Sequence, residues 1–568
     1  MIFYTRSGNY YQYDRQTHLI GICEALTNNN GVQDMNIDEP LPALTFSPVP
    51  HIDCLPNMST FIIEITHQCN LRCTYCCYSG RYTHNRTHEN KSLNEAYLPE
   101  IFDFIDANRV KERELTISFY GGEPLFEKDL LKNAVKQIRE RFEGDTEIVI
   151  STNLLRFDIE QDLPWCIASN ITLNVSLDGP EDIHDKQRGN GTFIALMKQL
   201  SEIKAVNPIY FAKKVNLLVT ITDIDNLMEI AQFWGNSKVL HGKEPFTISG
   251  LAESFRFTRS LSEKEILNHL YILMDYYERN RDNLFLKAYF NILTSQVVER
   301  PIFELTEPSS PLCCLPYNPR CIIDVDGNVG ICEKTCDELR IGNLREGFNY
   351  SKINSITEEL AKKKVERCGA CWMQRFCQMC FTNYFFNDKD WDSDCAFQKK
   401  WVRISLIITC EMAERNLFDS EDAKLCELRP LSIDDASAVL RIMKDEETVK
   451  YIDCFEPLKS IKDAKDFLRM FDRNPNNVDS FLMAIDYNKQ GLIGIIGFDE
   501  IDRITRQANL FFVLSKEYWH RGVMTAMMSS FLAIADMQYK HIDININQDN
   551  EAANSLIDRF ERIKQYKL

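Results

Sequence analysis

At 568 residues the chain is too long for one ordinary domain, and about two to four domains are expected. Apolar residues make up 44% and charged residues 26%, the proportions of a soluble globular protein, while a formal net charge of −18 argues against a nucleic-acid groove. The N-terminus lacks a signal-peptide core, and no uninterrupted apolar run is long enough to span a bilayer. We therefore expect a cytoplasmic protein that binds neither nucleic acid nor membrane.

The first 58 residues predict a small β-rich module. A short strand at Phe3–Thr5 and two further apolar stretches, Tyr10–Tyr13 and Leu19–Ile22, are separated by polar turns. A loop rich in Asn and Pro, residues 28–50, then leads to the first core strand.

A dense cysteine motif begins where that core strand ends. Cys69, Cys73 and Cys76 are spaced C-x3-C-x2-C after the apolar run Phe61–Ile65, which predicts a buried strand. Three thiolates on one loop can hold three irons of a cubane cluster and leave the fourth iron open. A zinc knuckle or buried free thiols are the alternatives, although structural zinc sites favour closed sets of four ligands.

This motif resembles the signature of the radical S-adenosylmethionine (SAM) enzymes, C-x3-C-x-aromatic-C, with Tyr75 at the aromatic position. The resemblance implies a [4Fe–4S] cluster on the three cysteines, SAM bound at the open iron, and a ferredoxin- or flavodoxin-type electron donor. It also leaves two interpretations of residues 1–58: a shortened leader-peptide-binding module, or a β cap over the domain that follows.

Strands alternate with helices from residue 59 to about 255, which predicts an α/β fold with a parallel sheet and outer helices. The strand candidates are residues 61–66, 115–120, 147–152, 171–177, 215–222 and 246–250. The family resemblance implies that these units form a partial (β/α)6 barrel. In barrels of this type the chemistry lies at the C-terminal ends of the strands.

Polar motifs follow the next three strands, and the resemblance implies that they bind SAM. The expected contacts are Gly121, Gly122, Glu123 and Pro124 for the SAM amino group, Ser151, Asn153 and Ser176 for the ribose, and Arg188 for the carboxylate. Asp178 and His184, in the same run as Ser176, fit either a capped turn or a role in the site.

A second field of cysteines is predicted to form a domain over residues 311–415, after a helical bridge over 256–310. Ten of the twenty cysteines lie between Cys313 and Cys395, and such clustering indicates metal rather than core packing. The spacings around Gly327 and Cys332, and from Cys368 to Cys377, resemble the SPASM extension of radical SAM enzymes.

The SPASM resemblance implies two auxiliary [4Fe–4S] clusters, which together with the radical SAM cluster makes three. The first set is Cys314, Cys321, Cys332 and Cys380, and the second is Cys368, Cys371, Cys377 and Cys395. The interval before Cys380 is one residue shorter than the pattern, and Cys313 or Cys336 could replace a neighbour. A structural module with two zinc ions is the alternative.

After a polar linker at residues 416–423, a new domain is predicted over 424–568. Strands are expected at 426–431, 481–486, 491–499 and 508–514, followed by Arg521 and Gly522 at the start of a helix. Backbone N–H groups at such a helix start form an anion site.

The order of these elements resembles the GNAT N-acetyltransferases, an α+β fold, especially the branch that acts on protein N-termini. The resemblance implies acetyl-CoA, with its pyrophosphate on the backbone amides of Gly522, Val523 and Met524 beside Arg521, and a contact from Asn550. Two departures stand out. Ala526 occupies a position where relatives often have Glu, and the chain ends eight residues after Phe560, where the family usually adds a strand.

Together the resemblances predict an enzyme that takes hydrogen from a ribosomally made precursor peptide, giving a crosslink, thioether or epimer, with a fused acetyltransferase. A rival interpretation is a SPASM enzyme that oxidises Cys or Ser of a sulfatase to formylglycine. A third, from a different class, is a non-catalytic Fe–S- and CoA-binding scaffold that presents peptides. Formation of 5′-deoxyadenosine from SAM would separate both enzymes from the scaffold.

Overall fold

The computed structural model divides the chain into two compact units. The first comprises Met1–Asn226, Pro245–Ile266 and Ile292–Thr409, and the second comprises Leu227–Glu244, Leu267–Asn291 and Cys410–Leu568. The structure describes residues 1–23, 45–79, 87–142, 146–249, 261–301, 310, 314, 318–333, 339–377, 379–380, 385, 391–418, 425–452, 458–470, 480–488, 491–502, 507–534, 541–560 and 563–567. Much of the predicted N-terminal loop and linker, together with Cys313 and Cys336, lies outside these ranges.

The predicted N-terminal module is a three-stranded antiparallel sheet. Its strands are β1 (Ile2–Tyr4), β2 (Tyr10–Tyr13) and β3 (Ile20–Ile22), in that spatial order. Polar turns join the strands, as the sequence predicted.

Six parallel strands form the central part of the first unit, in sequence order across the sheet. They are β4 (Thr60–Thr66), β5 (Thr116–Gly121), β6 (Glu147–Thr152), β7 (Ile171–Ser176), β8 (Val215–Thr220) and β9 (Thr247–Ser249). The parallel sheet predicted from the alternation of strands and helices is confirmed. Their runs of apolar residues are those of strands covered on both faces.

The cysteine-rich segment extends this same sheet to ten strands. Strand β10 (Arg320–Ile323) pairs in parallel with β4, and Cys321 lies opposite Phe61. An antiparallel run continues from it through β11 (Asn328–Gly330), β12 (Arg340–Asn343) and β13 (Gly347–Phe348). The sequence did not predict this continuity.

Helices follow most of the strands and pack through apolar stripes. In chain order they are α1 (Leu98–Asn108), α2 (Lys128–Arg141), α3 (Asp162–Ala168), α4 (Glu181–Arg188), α5 (Thr192–Val206), α6 (Pro208–Lys214), α7 (Leu227–Asn236), α8 (Glu263–Arg279), α9 (Leu284–Val298), α10 (Tyr350–Cys368) and α11 (Trp391–Glu414). In α2, for example, Leu131, Val135 and Ile138 are buried at helical spacing.

The C-terminal part of the second unit is a six-stranded sheet with helices on both faces. Its strands, in spatial order, are β14 (Cys426–Pro430), β15 (Phe481–Tyr487), β16 (Leu492–Asp502), β17 (Gln507–Leu514), β18 (His541–Ile546) and β19 (Ile563–Lys567). Its helices are α12 (Ala436–Lys444), α13 (Glu446–Val449), α14 (Ile461–Met470), α15 (Val523–Ile534) and α16 (Glu551–Ile557). Successive residues of β15 alternate between two apolar cores, Met483 facing one and Ala484 the other.

One expectation about this sheet was wrong. The chain end was expected to lack the last strand of the fold, but β19 forms and pairs in parallel with β18. The five residues of β19 and the short helix α16 before it are enough for a crossover connection back to the sheet edge.

No helix in the described part of the chain combines the length and the apolar character needed to cross a bilayer.

Candidate active site

The cysteine loop after β4 is fastened to the loop after β5. Gly122 N–H donates to Thr66 O at 2.7 Å, and Glu123 N–H donates to Gln68 O at 2.7 Å. A Cβ atom on Gly121 would lie 2.2 Å from Thr66 O, and one on Gly122 would lie 2.1 Å from Gln68 O. Because these contacts are with backbone, only glycine fits at either position. The Gly-Gly motif therefore holds the two strand ends together.

Each of the three predicted cluster cysteines has a hydrogen-bond donor near its sulfur. Leu71 N–H lies 3.4 Å from Cys69 Sγ, Tyr78 N–H lies 3.4 Å from Cys76 Sγ, and a guanidinium nitrogen of Arg188 lies 3.9 Å from Cys73 Sγ. Hydrogen bonds to sulfur are a feature of iron–sulfur sites. The donor set of this loop therefore fits a cluster with three protein ligands.

The thiols are not already gathered around a metal position. Across the described ranges, no three Cys, His, Asp or Glu side chains converge as metal ligands. Burial raises the pKa of the Cys69 thiol to about 11, so this thiol stays protonated in the absence of a bound cation. Binding of iron would release that proton.

Arg188 and Tyr75 meet on Asp178, just beyond the end of β7. Arg188 Nε lies 2.7 Å from Asp178 Oδ2, to which the Tyr75 hydroxyl also donates at 2.6 Å. Thr220 N–H donates to the other carboxylate oxygen at 3.1 Å. Asp178 is 0% exposed and Arg188 is 9% exposed. Asp178 is therefore the anchor of Arg188 rather than a turn cap.

The charge on Arg188 survives this burial because of its partners. Burial opposes the charged form, but the Asp178 carboxylate outweighs it, and the pKa of Arg188 is raised. A fixed guanidinium beside Cys73 suits recognition of a carboxylate.

The Glu123 side chain points to the end of β6 and is fully buried. Its carboxylate accepts from Leu125 N–H at 3.1 Å, the Thr152 hydroxyl at 2.8 Å and Asn153 N–H at 2.7 Å. Burial raises the pKa of Glu123, and these three hydrogen bonds oppose that rise. Glu123 thus positions Asn153, whose amide lies 4.0 Å from Cys69 Sγ. This scaffold role was not predicted from the sequence.

In the second unit, strands β17 and β18 pair only over their first residues. The paired positions are Gln507 with His541, Ala508 with Ile542 and Asn509 with Asp543. Beyond these pairs β17 and β18 no longer pair with each other, although β17 continues to Leu514. The separation lies at the end of β17 that leads into the loop before α15.

That loop presents backbone rather than side chains. The Trp519 indole N–H donates to Leu514 O at 2.7 Å and fixes the loop to the end of β17. Gly522 has φ +72°, and α15 begins at the next residue. Val523 and Met524 are buried, whereas Arg521 is exposed. The amides of the first helical turn are therefore presented without a covering side chain from Gly522.

Two family models match the chain. The radical SAM superfamily model matches residues 63–234, and the acetyltransferase (GNAT) domain model matches residues 426–560. The chain is an enzyme with a radical SAM domain and a C-terminal GNAT domain. Radical SAM domains use a [4Fe–4S] cluster with SAM, and GNAT domains use acetyl-CoA.

Several known proteins resemble the radical SAM part of the chain. A cysteine-type anaerobic sulfatase-maturating enzyme of Clostridium novyi is 26% identical over 345 residues, covering 57% of this chain and 87% of that enzyme. The mycofactocin maturase MftC of Mycolicibacterium smegmatis is 25% identical over 169 residues, covering 30% of this chain and 39% of the maturase. The solved structure of native anSMEcpe with bound AdoMet is 18% identical, with a TM-score of 0.44, and the match covers 63% of this chain and 100% of that structure.

The remaining residues predicted for the radical SAM domain lie at strand ends as well. Ser151 is in β6 and Ser176 ends β7, and both are half-buried. Pro124 is buried and begins a short 3-10 turn. In the GNAT domain, Asn550 caps α16, its side-chain oxygen accepting from Ala553 N–H at 3.1 Å.

A polar layer inside the radical SAM domain was missed by the sequence analysis. Glu64 on β4 is fully buried, accepts a hydrogen bond from the Tyr78 hydroxyl, and lies 3.3 Å from His67 Nε2. Tyr120 lies opposite Glu64 on β5, and its hydroxyl is 3.8 Å from Cys77 Sγ. The available signal was a single Glu inside an otherwise apolar strand.

The structure places four cysteines of the second field in one neighbourhood. We call Cys368, Cys371, Cys377 and Cys395 the cysteine quartet. Cys368 ends α10, and the preceding Arg367 lies over the ring of Trp391, 4.7 Å from its centroid, at the start of the helix α11 that carries Cys395. Cys371 N–H also donates to Cys368 O at 3.0 Å. The segments that carry the quartet are therefore neighbours, although the four thiols do not converge on a metal position, and the second cluster stays a prediction.

The other predicted set is not brought together in the same way. Cys321 is 0% exposed, and its register with Phe61 gives both residues the same side of the sheet. Phe61 packs on Phe104 of α1, with ring centroids 6.4 Å apart, so this side faces the helix layer. Cys314, Cys332 and Cys380 are half-buried and lie outside helices and strands.

Proposed function

We propose that this enzyme abstracts hydrogen from a peptide at its radical SAM domain and acetylates an amine at its GNAT domain. The observation that carries the proposal is the cysteine loop after β4. Its three thiols have hydrogen-bond donors, the Gly-Gly motif holds the loop in place, and Asp178 fixes Arg188 beside Cys73. Hydrogen bonds and an ion pair thus fix these groups in advance, and a catalytic centre needs such rigid positioning.

The radical SAM residues have separate roles in this proposal. Cys69, Cys73 and Cys76 would hold the [4Fe–4S] cluster, which with SAM and one electron supplies a 5′-deoxyadenosyl radical. Arg188 binds the SAM carboxylate as a fixed guanidinium. Tyr75 keeps Arg188 and Asp178 in place. Polar groups for the SAM ribose come from the ends of neighbouring strands, at Ser151, Asn153 and Ser176.

Two further clusters are part of the proposal. The quartet would hold one, and the second set would draw on Cys314, Cys332 and Cys380, with Cys313 or Cys336 in place of Cys321. Their support is the proximity of the segments that carry the quartet and the match to a maturase that extends well beyond the radical SAM barrel. A ferredoxin- or flavodoxin-type protein supplies the electrons.

In the GNAT domain, the amides of Gly522, Val523 and Met524 bind the CoA pyrophosphate, and the separation of β17 from β18 receives the pantetheine arm. This assignment is supported by the positive φ of Gly522 and by the short pairing of the two strands. Asn550 acts through its cap on α16.

Two peptide substrates fit these observations. A ribosomally made precursor peptide is favoured by the fused GNAT domain and by the resemblance to a mycofactocin maturase. A sulfatase is the second candidate, because the sulfatase-maturating relative aligns over 87% of its own length.

The first test is cleavage of SAM. Anaerobically reconstituted protein, incubated with SAM and a reductant, should form 5′-deoxyadenosine. Changing Cys69, Cys73 and Cys76 to Ala should abolish the product, while Cys54→Ala, at an exposed cysteine, should not. Absence of the product from protein that contains its clusters would favour the non-catalytic scaffold.

The second test identifies the substrate. The protein is co-expressed without oxygen with a short peptide encoded beside its gene, or supplied with a sulfatase-derived cysteine peptide, and intact masses are measured. Loss of two hydrogens, deuterium uptake from solvent, or an added acetyl group supports the precursor-peptide assignment. Conversion of the cysteine side chain to an aldehyde supports the sulfatase assignment instead.

A further inference from the structure

The N-terminal sheet packs on the cysteine quartet. The Tyr13 ring lies 5.0 Å from the Phe376 ring, and the His18 ring stacks on Phe376 at 4.6 Å. Phe376 directly precedes Cys377. Tyr13 and His18 are both fully buried in this contact. The sheet thus covers the loop that carries two of the four quartet thiols.

Arg15 brings a buried positive charge to the same place. It follows β2 in the turn toward β3, is 4% exposed, and its Nη1 donates to Cys371 O at 3.5 Å. The guanidinium is therefore fixed at the backbone of a quartet cysteine, close enough for its charge to act on a cluster bound there. Burying such a cation is costly, and negative charge from Asp14 and from the cluster would offset that cost.

Tyr13 adds a hydrogen-bond donor. Its hydroxyl is buried and, within the described residues, has no hydrogen-bond partner. Leaving a buried hydroxyl unpaired costs about 1–3 kcal/mol, so an acceptor is expected beside it. Sulfur atoms of a cluster held by the quartet are acceptors of this kind.

We propose that the N-terminal sheet is the lid of a quartet-bound iron–sulfur cluster and that Arg15 and the Tyr13 hydroxyl set its reduction potential. The proposal rests on the proposed function, because the cluster itself belongs to it. A cluster held by four thiolates carries net negative charge that grows on reduction. A buried cation and a hydrogen bond to sulfur stabilise the reduced form and raise the potential. Arg15 and Tyr13 are positioning residues, since they act on the cluster and not on the substrate.

The test is a redox titration followed by electron paramagnetic resonance. It uses the full chain with Cys69, Cys73 and Cys76 changed to Ala, so that only the auxiliary clusters contribute to the resonance signal. The signal that disappears when all four quartet cysteines are changed to Ala belongs to the quartet. Arg15→Gln should lower its equilibrium constant for reduction about tenfold, which is about 59 mV for one electron. Arg15→Lys should keep most of the potential, and Tyr13→Phe should lower the constant a few-fold.

Arg6→Gln is the matched control, because Arg6 is an exposed arginine in the turn between β1 and β2 and should leave the potential unchanged. An unmoved quartet potential in both Arg15→Gln and Tyr13→Phe overturns the proposal. If Arg15→Gln does not fold, Tyr13→Phe alone decides. A variant with all four quartet cysteines changed to Ala that folds and loses no iron and no acid-labile sulfide shows instead that the quartet holds no cluster, and that result overturns the auxiliary-cluster assignment in the proposed function as well.

Discussion

The cysteine loop of the radical SAM domain and the loop before α15 of the GNAT domain present their binding groups in opposite ways. The first relies on side chains that are locked together, with Asp178 holding both Arg188 and Tyr75. The second relies on backbone amides, and the charged side chain next to them, Arg521, is exposed. The difference teaches where sequence changes are tolerated. Side-chain substitutions should be severe in the first loop and mild in the second, where backbone conformation matters more.

The largest effect should come from Asp178→Asn, which leaves Arg188 as a buried charge without its counter-ion. We expect the radical SAM domain to lose about 3–5 kcal/mol of stability and to bind SAM weakly. Anaerobic thermal unfolding and SAM-binding titrations measure the two effects. Glu202→Gln is the control, since it removes an exposed ion pair with Lys198 and should change stability by less than about 0.5 kcal/mol. Equal effects of the two substitutions would contradict the anchor role of Asp178.

Gly122→Ala should come next. Its new Cβ would meet Gln68 O at 2.1 Å, and neither backbone can move aside without separating the loops. We expect a stability loss of about 3 kcal/mol and no measurable 5′-deoxyadenosine. In Gly21→Ala the added Cβ meets nothing within 4 Å, so that variant should match the wild type in both assays. Full SAM cleavage by Gly122→Ala would show that the two loops need not touch.

The variant Cys321→Ala tests whether Cys321 is a cluster ligand or a thiol of the apolar core. Because Cys321 faces the helix layer, we expect unchanged iron and sulfide content and a loss of about 1 kcal/mol from the smaller side chain. Cys395→Ala, made in parallel, should lose iron. Loss of iron from both variants would restore Cys321 to the predicted ligand set.

The smallest effects should be in the GNAT loop. Gly522→Ala places a side chain at φ +72°, which costs about 1 kcal/mol and disturbs the amides that face CoA. Arg521→Gln should weaken CoA binding less, and the weakening should fade as salt rises because Arg521 is exposed. Calorimetric titration with CoA at two salt concentrations measures both. A larger loss for Arg521→Gln than for Gly522→Ala would reverse the contrast between the loops.

The sequence predicted what depends on local pattern. The alternation of strands and helices located the parallel sheet because each element carries its own periodicity, and the spacing of Cys69, Cys73 and Cys76 marked the loop after β4. Gly121 and Gly122 were also found, although their closest contacts prove to be with backbone.

What the sequence could not supply depends on partners distant in the chain. The orientation of Glu123 is set by Asn153 N–H just after the next strand, and that of Asp178 by Arg188 and Thr220. Strand β19 was unexpected because its pairing comes from β18 rather than from its own short segment. The side of the sheet on which Cys321 lies follows from its register with Phe61, which no spacing rule contains.

The pairing of β10 with β4 also fixes an order of events during protein synthesis. Phe61 leaves the ribosome long before its partner Cys321, and at about 5–20 residues per second the interval is on the order of tens of seconds. Throughout that interval one edge of β4 carries unpaired backbone groups, which readily pair with other chains. A nascent chain halted before residue 320 is therefore expected to aggregate, even though the whole radical SAM barrel has already been made.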